Sequence, residues 1–412
     1  MTLLEELKAR ELFNNTTSED FEQYLENNKV IFYLGCDPTG DSLHVGHLVT
    51  YLVAKRFEQH GHHPILLVGG ATGQIGDPKQ QGERKMLDVS VTNDNVVKLK
   101  KQVKDIFGFE DIVNNLDWMS SISAIDFLRI YGKEFNVNYM INKETVKARL
   151  ETGISYTEFS YQILQALDWY HLFKTRNCTV QIGGQDQWGN MTSGTELIRK
   201  KEGVDTKVFA MTVPLILKED GTKFGKSESG KSVWLDANKT SPYEFYQFWI
   251  NLPDSDVIKK MKQFTFLSLE EIDKIQKEWS LAPETRLAQK TLAKEMTTFI
   301  HGKEACEQAI RITNALFSGN VAELSAKEIE MGFVDFPRVA LESEVSIVDL
   351  VILTGVASSK REAREFIKNG AISLNGQKVV DEATIVDRKL AIEDRFLVVR
   401  RGKKKYALAE FR

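Results

Sequence analysis

Cysteine is scarce: Cys36, Cys178 and Cys306 are the only three in 412 residues. An odd number so widely spaced argues against a disulfide framework or a four-ligand zinc site and fits reduced thiols in a cytoplasmic protein. Proline is sparse as well, at 8 residues, and with 42% hydrophobic content this argues against a collagen-like or disordered chain. Long apolar runs are missing; the longest, such as residues 65–68, have core-strand length and fall far short of the roughly 20 residues of a membrane-spanning helix. Residues 1–13 carry Glu5, Glu6 and Glu11 within their apolar pattern and no cleavage-site signature, so no secretory signal is read there. A soluble protein with no membrane partner is expected, without internal repeats or low-complexity tracts.

An excess of positive charge is also lacking. Lys and Arg number 54 against 58 Asp and Glu, for a net charge of -4, which discourages a basic nucleic-acid coat. That average conceals a partition: residues 346–412 hold 14 Lys/Arg and 9 Asp/Glu, net +5, leaving -9 on the first 345 residues. A small basic end on an acidic body fits either a polyanion partner or a solvated, lysine-rich tail. One core usually serves roughly 250 to 300 residues, so two or three domains are expected.

Up to about residue 220, short β-rich runs ending in glycine alternate with helical periods: a strand over 30–35 and a helix from His44, a strand over 64–70, and a strand over 178–184 followed by a helix from about Asp186. Such alternation predicts a doubly wound, Rossmann-like parallel sheet, with ligands beyond the carboxyl ends of its strands. From Ser241 the texture becomes helical. Ser241, Pro242 and Glu244 read as N-cap, first-position proline and capping-box glutamate; Ser268 and Glu271 repeat the box, and Pro283 opens a helix that Gly302 closes. Beyond Ser346 a helix over 358–369 precedes a hairpin centred on Asn375-Gly376, making a small α+β module.

Among the motifs, Tyr33-Leu34-Gly35-Cys36-Asp37-Pro38-Thr39-Gly40 and His44-Val45-Gly46-His47 carry most. A strand ends, the chain turns, and two histidines share one face of a helix's first turn, with Gly46 leaving room for a close ligand. A helix N-terminus with two imidazole donors suits a triphosphate, although His-x-x-His alone also fits a metal pair or a solvated helix start. Gly221-Thr222-Lys223-Phe224-Gly225-Lys226-Ser227 is no Walker loop, having three residues between its glycines where four are required. It is either a flexible loop whose two lysines fold over phosphates or an exposed charged turn. Gly70-x-x-Gly73-x-x-Gly76 lacks the dinucleotide spacing, which disfavours a nicotinamide enzyme. Tyr161, Gln165 and Asp168 form one polar helical face, a pattern that usually meets water. Lys360, Arg364 and Lys368 form a basic stripe, and Arg400, Arg401, Lys403, Lys404 and Lys405 a basic cluster, fit either for a phosphate backbone or for solvent.

Together these residues resemble the bacterial tyrosyl-tRNA synthetases, members of the class I aminoacyl-tRNA synthetases. His44-Val45-Gly46-His47 is similar to the class I His-Ile-Gly-His signature, Lys223-Phe224-Gly225-Lys226-Ser227 to the Lys-Met-Ser-Lys-Ser loop, and Gln181-Ile182-Gly183-Gly184-Gln185-Asp186-Gln187-Trp188-Gly189-Asn190 to a run typical of the tyrosine enzymes. Ser359-Lys360-Arg361-Glu362-Ala363-Arg364 and Asn369-Gly370-Ala371-Ile372 resemble the S4 RNA-binding module. The resemblance spans nearly the whole chain.

It implies a two-step reaction: L-tyrosine and ATP give tyrosyl-adenylate and pyrophosphate, and the tyrosyl group then passes to the terminal ribose of tRNA(Tyr). It implies that Tyr33 and Asp168 bond the substrate phenol, that Asp77, Tyr161 and Gln165 hold its ammonium group, and that Gln187 meets its carboxylate. Gly35, Asp37, Gly46, Gly184, Asp186 and Lys226 fall to ATP; His44, His47, Thr39, Lys223, Lys226, Ser227 and Arg84 serve the reacting phosphates. Mg²⁺ is expected to arrive with ATP, with no dedicated protein metal site, and the protein to be a homodimer. Leu34 stands where several relatives have a ribose-bonding cysteine, and Cys36 is expected to face the other side of the sheet. In Gln80-Gln81-Gly82-Glu83-Arg84, where relatives carry a phosphate-contacting lysine, only Arg84 carries over. The implied domains are a catalytic domain over 1–222, a mobile phosphate loop over 223–232, an anticodon-recognising helical domain over 233–320, a linker over 321–345 and an S4-like RNA-binding domain over 346–412. A tryptophanyl-type synthetase and a small-molecule nucleotidylyltransferase share the fold. Paired phenol partners count against the first, the extra domains against the second.

Overall fold

Runs rich in Ile, Leu and Val, cut short by glycine, become the strands of a sheet whose faces are both covered. The computed structural model describes residues 1–79, 82–218, 221–227, 230–402 and 405–412. The strands β1 (Asn15–Thr16), β2 (Ile31–Cys36), β3 (His63–Val68), β4 (Ile112–Asn114), β5 (Cys178–Gly184) and β6 (Phe209–Val213) lie in the order β1-β6-β5-β2-β3-β4. From β6 to β4 all neighbours are parallel, and β1 alone runs antiparallel, on β6. β3, β5 and β6 are buried along nearly their whole length, as a sheet covered by helices requires. Those covers include α1 (Leu3–Ala9), α2 (Val45–Gln59), α3 (Val89–Phe107), α4 (Tyr156–Arg176) and α5 (Trp188–Glu202). From β2 the chain moves outward to β3 and β4, then returns to β5 on the other flank. The crevice beyond β2 and β5 is therefore a topological switch point, where such sheets bind ligands.

A buried ionic knot fastens α1 to α2. Glu6 Oε1 accepts from Arg10 Nε at 2.7 Å and from Arg56 Nη1 at 2.8 Å. Arg10 also donates to the carbonyls of Lys262 and Leu267, at 3.0 and 2.7 Å, and Arg56 to that of Thr265. Each guanidinium is thus paired and hydrogen-bonded; stranding one by removing Glu6 would cost about 3 to 5 kcal/mol.

The helical run comprises α6 (Pro242–Ile250), α7 (Asp254–Phe264), α8 (Leu269–Leu281), α9 (Leu287–His301), α10 (Lys303–Ser318) and α11 (Ala326–Gly332). Both expected capping boxes form, on Ser241 with Glu244 and on Ser268 with Glu271. Pro283 opens a 3-10 turn rather than the helix itself; Arg286, at φ 54°, redirects the chain, and α9 starts at Leu287. By contacts the chain forms two compact units, residues 1–236 with 252–288 and residues 237–251 with 289–412. The expected helical domain over 233–320 is therefore divided: α7 and α8 belong to the first unit and α6 and α10 to the second, where Gln247 Nε2 donates to Thr313 Oγ1 at 2.7 Å.

The stretch expected as a linker over 321–345 is structured. It contains α11, β7 (Arg338–Leu341) and the start of β8 (Val345–Ser346), and Val321, Leu324, Ile329 and Phe333 pack with Phe396, Val398, Tyr406 and Leu408. The remaining elements are α12 (Ile347–Leu353), α13 (Lys360–Lys368), β9 (Ile372–Leu374), β10 (Gln377–Val379), β11 (Ile385–Val386), β12 (Phe396–Arg401) and β13 (Lys405–Phe411). Their main sheet is ordered β10-β9-β12-β13-β7, so the terminal fold begins with β7, before Ser346. Asn375 and Gly376, at φ 48° and 86°, make the anticipated tight turn between β9 and β10. No helix among the described residues is long and apolar enough to cross a membrane.

Candidate active site

The switch-point crevice is a cleft of about 490 Å³ that gathers Tyr33, Gly35, Asp37, Thr39, His44, Gly46, His47, Asp77, Arg84, Tyr161, Gln165, Asp168, Gly184, Asp186, Gln187, Lys223 and Lys226. Residues separated by nearly 200 positions thus meet beyond the ends of β2 and β5. Ser227 is not on the cleft lining; its hydroxyl accepts from the Lys231 N–H at 3.2 Å within its own turn.

The polar face of α4, which by pattern alone would meet water, is buried. Asp168 is 2% exposed and Tyr33 only 1%. Asp168 accepts from Asn115 Nδ2 and Trp118 Nε1, each at 2.9 Å. Burial still raises its carboxyl to about 8, against the two bonds that lower it. The Tyr33 hydroxyl has no hydrogen-bond partner and is pushed well up, first by burial and next by the charge of Asp168. The floor of the cleft therefore offers an unused donor beside a carboxyl group.

Two further carboxylates line the same space. Asp37 accepts from Thr72 Oγ1 at 2.7 Å and from the Tyr161 hydroxyl at 2.8 Å; burial raises its pKa. Asp77 accepts from Gln187 Nε2 at 2.8 Å and Asn190 Nδ2 at 3.0 Å, and burial raises it to about 6. Gln187 is thereby engaged with Asp77. Arg84 Nε donates to the Asp77 carbonyl at 2.5 Å.

At the mouth of the cleft, His44 is the N-cap of α2 and His47 its third residue. The Gly46 N–H donates to His44 Nδ1 at 3.0 Å and the His44 N–H to His47 Nδ1 at 3.3 Å. The rings stack with centroids 3.9 Å apart. Burial lowers His44 and takes His47 down to about 3, the neighbouring His44 adding to the latter. Both rings are neutral at pH 7, and because each Nδ1 accepts, each proton sits on Nε2, a donor free of charge. Gly46 leaves less room for a ligand than its motif implied: a Cβ there would lie 2.8 Å from the His44 ring. Gly225, at φ +109°, would put a Cβ 2.9 Å from the Gly46 nitrogen, so the lysine loop rests on the helix start through two glycines. Phe224, between the lysines, is buried against Phe264 with Lys260 Nζ 4.9 Å from its ring centre.

Cys36, expected on the far side of the sheet, also lines the cleft, with Leu34 and Tyr51. It lies beside Tyr51 of α2, on the face opposite Tyr33, and the cleft reaches around the strand end to both faces. Burial, then the charge of Asp37, pushes its thiol up to about 12 and keeps it protonated. Motif reading missed Thr72, Asn115, Trp118, Gln181 and Asn190. The run holding Gln181 and Asn190 was noticed, but nothing around Asn115-Leu116-Asp117-Trp118 signals a role.

In the second unit, Lys360, Arg364 and Lys368 stand exposed along α13. Lys360 pairs with Asp349 at 2.9 Å, Arg364 with Glu382 at 3.6 Å and Arg401 with Glu362 at 3.7 Å. Lys405 donates to the Gly355 carbonyl at 2.8 Å, and the Arg400 guanidinium lies 5.2 Å from the Tyr406 ring centre. Lys403 and Lys404 lie outside the described residues.

Residues 25–318 match the family of tRNA synthetases class I (W and Y), and the chain belongs to that family. Residues 328–409 match the tyrosine–tRNA ligase SYY-like C-terminal domain. Within the class the chain falls among the tyrosine–tRNA ligases: it is 51% identical to that of Listeria monocytogenes and 52% to that of Geobacillus stearothermophilus, each over 100% of both chains. A C-terminally truncated mitochondrial tyrosyl-tRNA synthetase from Aspergillus nidulans superposes with a TM-score of 0.69 at 29% identity, covering 77% of this chain and 94% of that one. The tryptophanyl and nucleotidylyltransferase alternatives are not favoured.

The raised Asp168 carries a pH signature. Its ordinary value is 3.8, and in the folded protein it titrates at about 8. Between those values the folded state holds a proton that the unfolded chain has released, so stability falls as pH rises through that window. The ligand-free Asp168→Asn protein should lose less melting temperature than the unsubstituted protein between about pH 5 and about pH 8. Parallel melting curves across that range would show that Asp168 titrates normally.

Proposed function

We propose that the cleft joins L-tyrosine to tRNA(Tyr), with the reacting groups distributed among its residues as follows. The tyrosine carboxylate, already ionised because α-carboxyl groups titrate near about 3.3 to 3.7, attacks the α-phosphorus of ATP as the bond to pyrophosphate breaks. The terminal ribose hydroxyl of the tRNA then attacks the activated carbonyl, and AMP departs. Activation therefore asks for alignment and for donors to the phosphate oxygens rather than for a general base. His44 and His47 supply neutral Nε2–H donors; Thr39, Arg84, Lys223 and Lys226 complete the phosphate set, while Ser227 must leave its own turn to join them. Gly35, Asp37, Gly46, Gly184 and Asp186 border the nucleotide, and Mg²⁺ enters bound to ATP oxygens. Asp77, Tyr161 and Gln165 take the ammonium group, and Gln187 turns from Asp77 to the carboxylate.

The observation that carries this reading is the partnerless Tyr33 hydroxyl beside the buried Asp168 carboxyl. A phenol O–H accepts from one and donates to the other. Phenylalanine leaves both unpaired, and discrimination of about 10⁵ is on record for a tyrosine enzyme that reads the hydroxyl in this way. Tyrosine-dependent exchange of pyrophosphate into ATP is expected, with phenylalanine a very poor substitute. No exchange with tyrosine, or comparable exchange with tryptophan, would refute the reading.

Residues 1–222 and the loop over 223–232 serve activation; the helices within 233–320 and the basic terminal module serve tRNA, in the cytoplasm. Exposed surface pairs such as those on α13 are worth little, so RNA phosphates displace their acids easily. Changing Lys360, Arg364 and Lys368 together to Gln should leave pyrophosphate exchange intact and reduce the salt slope of tRNA binding by about two to three. An unchanged slope would remove the stripe from the RNA surface.

A homodimer is supported by the segment leading to α4, where Ile125 is 70% exposed and Leu128 52%, with Val137 and Tyr156 also bare. Exposed apolar side chains that form a contiguous patch mark association surfaces. Sedimentation at micromolar concentration should report two chains; a single chain would refute the dimer.

A further inference from the structure

Arg149 and Glu158 form an ion pair, Nη1 to Oε2 at 2.8 Å, with side chains 3% and 2% exposed, and neither has a role in the scheme above. Burying two charges is costly, and well-packed apolar residues would often serve stability as well or better. What the pair holds is therefore informative. Arg149 Nη1 also donates to the carbonyls of Lys79 and Gly82, at 3.1 and 2.8 Å. The second oxygen of Glu158 accepts from the Arg84 N–H at 2.7 Å. Three points on one strap, Lys79, Gly82 and Arg84, are thus fixed by a single pair of side chains. Glu158 is the third residue of α4, capped by Ser155 Oγ at 3.2 Å, and lies one turn before Tyr161. The strap is consequently referenced to the helix that forms the cleft floor. Downstream, the stem of Arg84 lies on the turn before Asp77: a Cβ on Gly76 would come 2.7 Å from Arg84 Cδ.

We propose that Arg149 and Glu158 are positioning residues that anchor the strap to α4 so that the Arg84 guanidinium stands ready for the phosphates of ATP. The pair contacts backbone only, on the side of the strap away from solvent, and acts through Arg84. This rests on the reading of Arg84 as a phosphate contact.

Glu158→Gln and Arg149→Lys keep hydrogen-bonding capacity while removing the charge or the guanidinium that bonds Lys79, Gly82 and Glu158 together. In pyrophosphate exchange each should raise KM for ATP about tenfold or more, with tyrosine affinity by equilibrium dialysis held within about twofold. Arg84→Ala should show the same split, and adding Glu158→Gln to it should cause little further loss, since coupled residues do not act additively. Should the single variants unfold, the Arg149→Met/Glu158→Met protein, whose apolar pair restores packing, should melt near the unsubstituted protein and still show the raised KM. A normal ATP KM in any folded variant, equal losses for tyrosine and ATP, or additive losses with Arg84→Ala would overturn the proposal. Failure of the underlying reading looks different: Arg84→Ala itself would then keep a normal KM for ATP.

Discussion

Taking carboxylates out of water constrains the cleft more than any other requirement. Asp37, Asp77 and Asp168 face one cavity, and burial raises all three. A buried carboxyl group must be hydrogen-bonded or protonated, and the three meet the demand differently. Asp37 takes two hydroxyl donors, Asp77 two side-chain amides, Asp168 an amide and an indole. Those donors come from the segments following β3 and β4, from α4 and from the start of α5, elements far apart in sequence. The strand order is what brings them together: β5 returns beside β2, so the residues after β5 face those after β2 across the switch point.

The mouth of the cleft, which we propose meets the phosphates, offers neutral donors where the floor buries acids. His44 and His47 are neutral because burial opposes their protonation and each supports the other's place in the helix cap. Positive charge sits on Lys223 and Lys226 of the lysine loop, which is held at its base. Lys260 is buried, donates to the Leu217 carbonyl at 2.9 Å and lies against the Phe224 ring. Val45 and Val233 bond backbone to backbone at 2.9 Å, and the Val233 N–H reaches the Gly225 carbonyl at 3.0 Å. Gly225 makes that approach close enough, since a Cβ there would lie 2.9 Å from the Gly46 nitrogen, whereas a Cβ on Gly46 would instead strike the His44 ring of its own motif.

Features set by local chemistry could be read from the chain: the strand at 178–184, the caps on α6 and α8, the Asn375-Gly376 turn and the two histidines at the start of α2. Their causes lie within a few residues of each other. The face of Tyr161, Gln165 and Asp168 was legible as a face but not as a cleft floor, because a helix's polar stripe does not record what packs opposite it. Asn115 and Trp118 left no signal at all; they matter only because β4 delivers them to Asp168. The same limit explains the misplaced linker, since Ile329 and Phe333 find their partners in β12 and β13, dozens of residues later.

The basic module shows how net charge and usable charge differ. Its excess of five positive charges is spread over a surface in which Lys360, Arg364 and Arg401 already face acids. With Lys360 65% and Asp349 43% exposed, such a pair is worth roughly 0 to 1 kcal/mol. In the RNA-binding role proposed for this stripe, a phosphate placed in the right geometry displaces the acid at little cost, whereas a polyanion of the wrong shape must compete with it for nothing in return. Internal acids therefore lower indiscriminate attraction more than they lower matched binding.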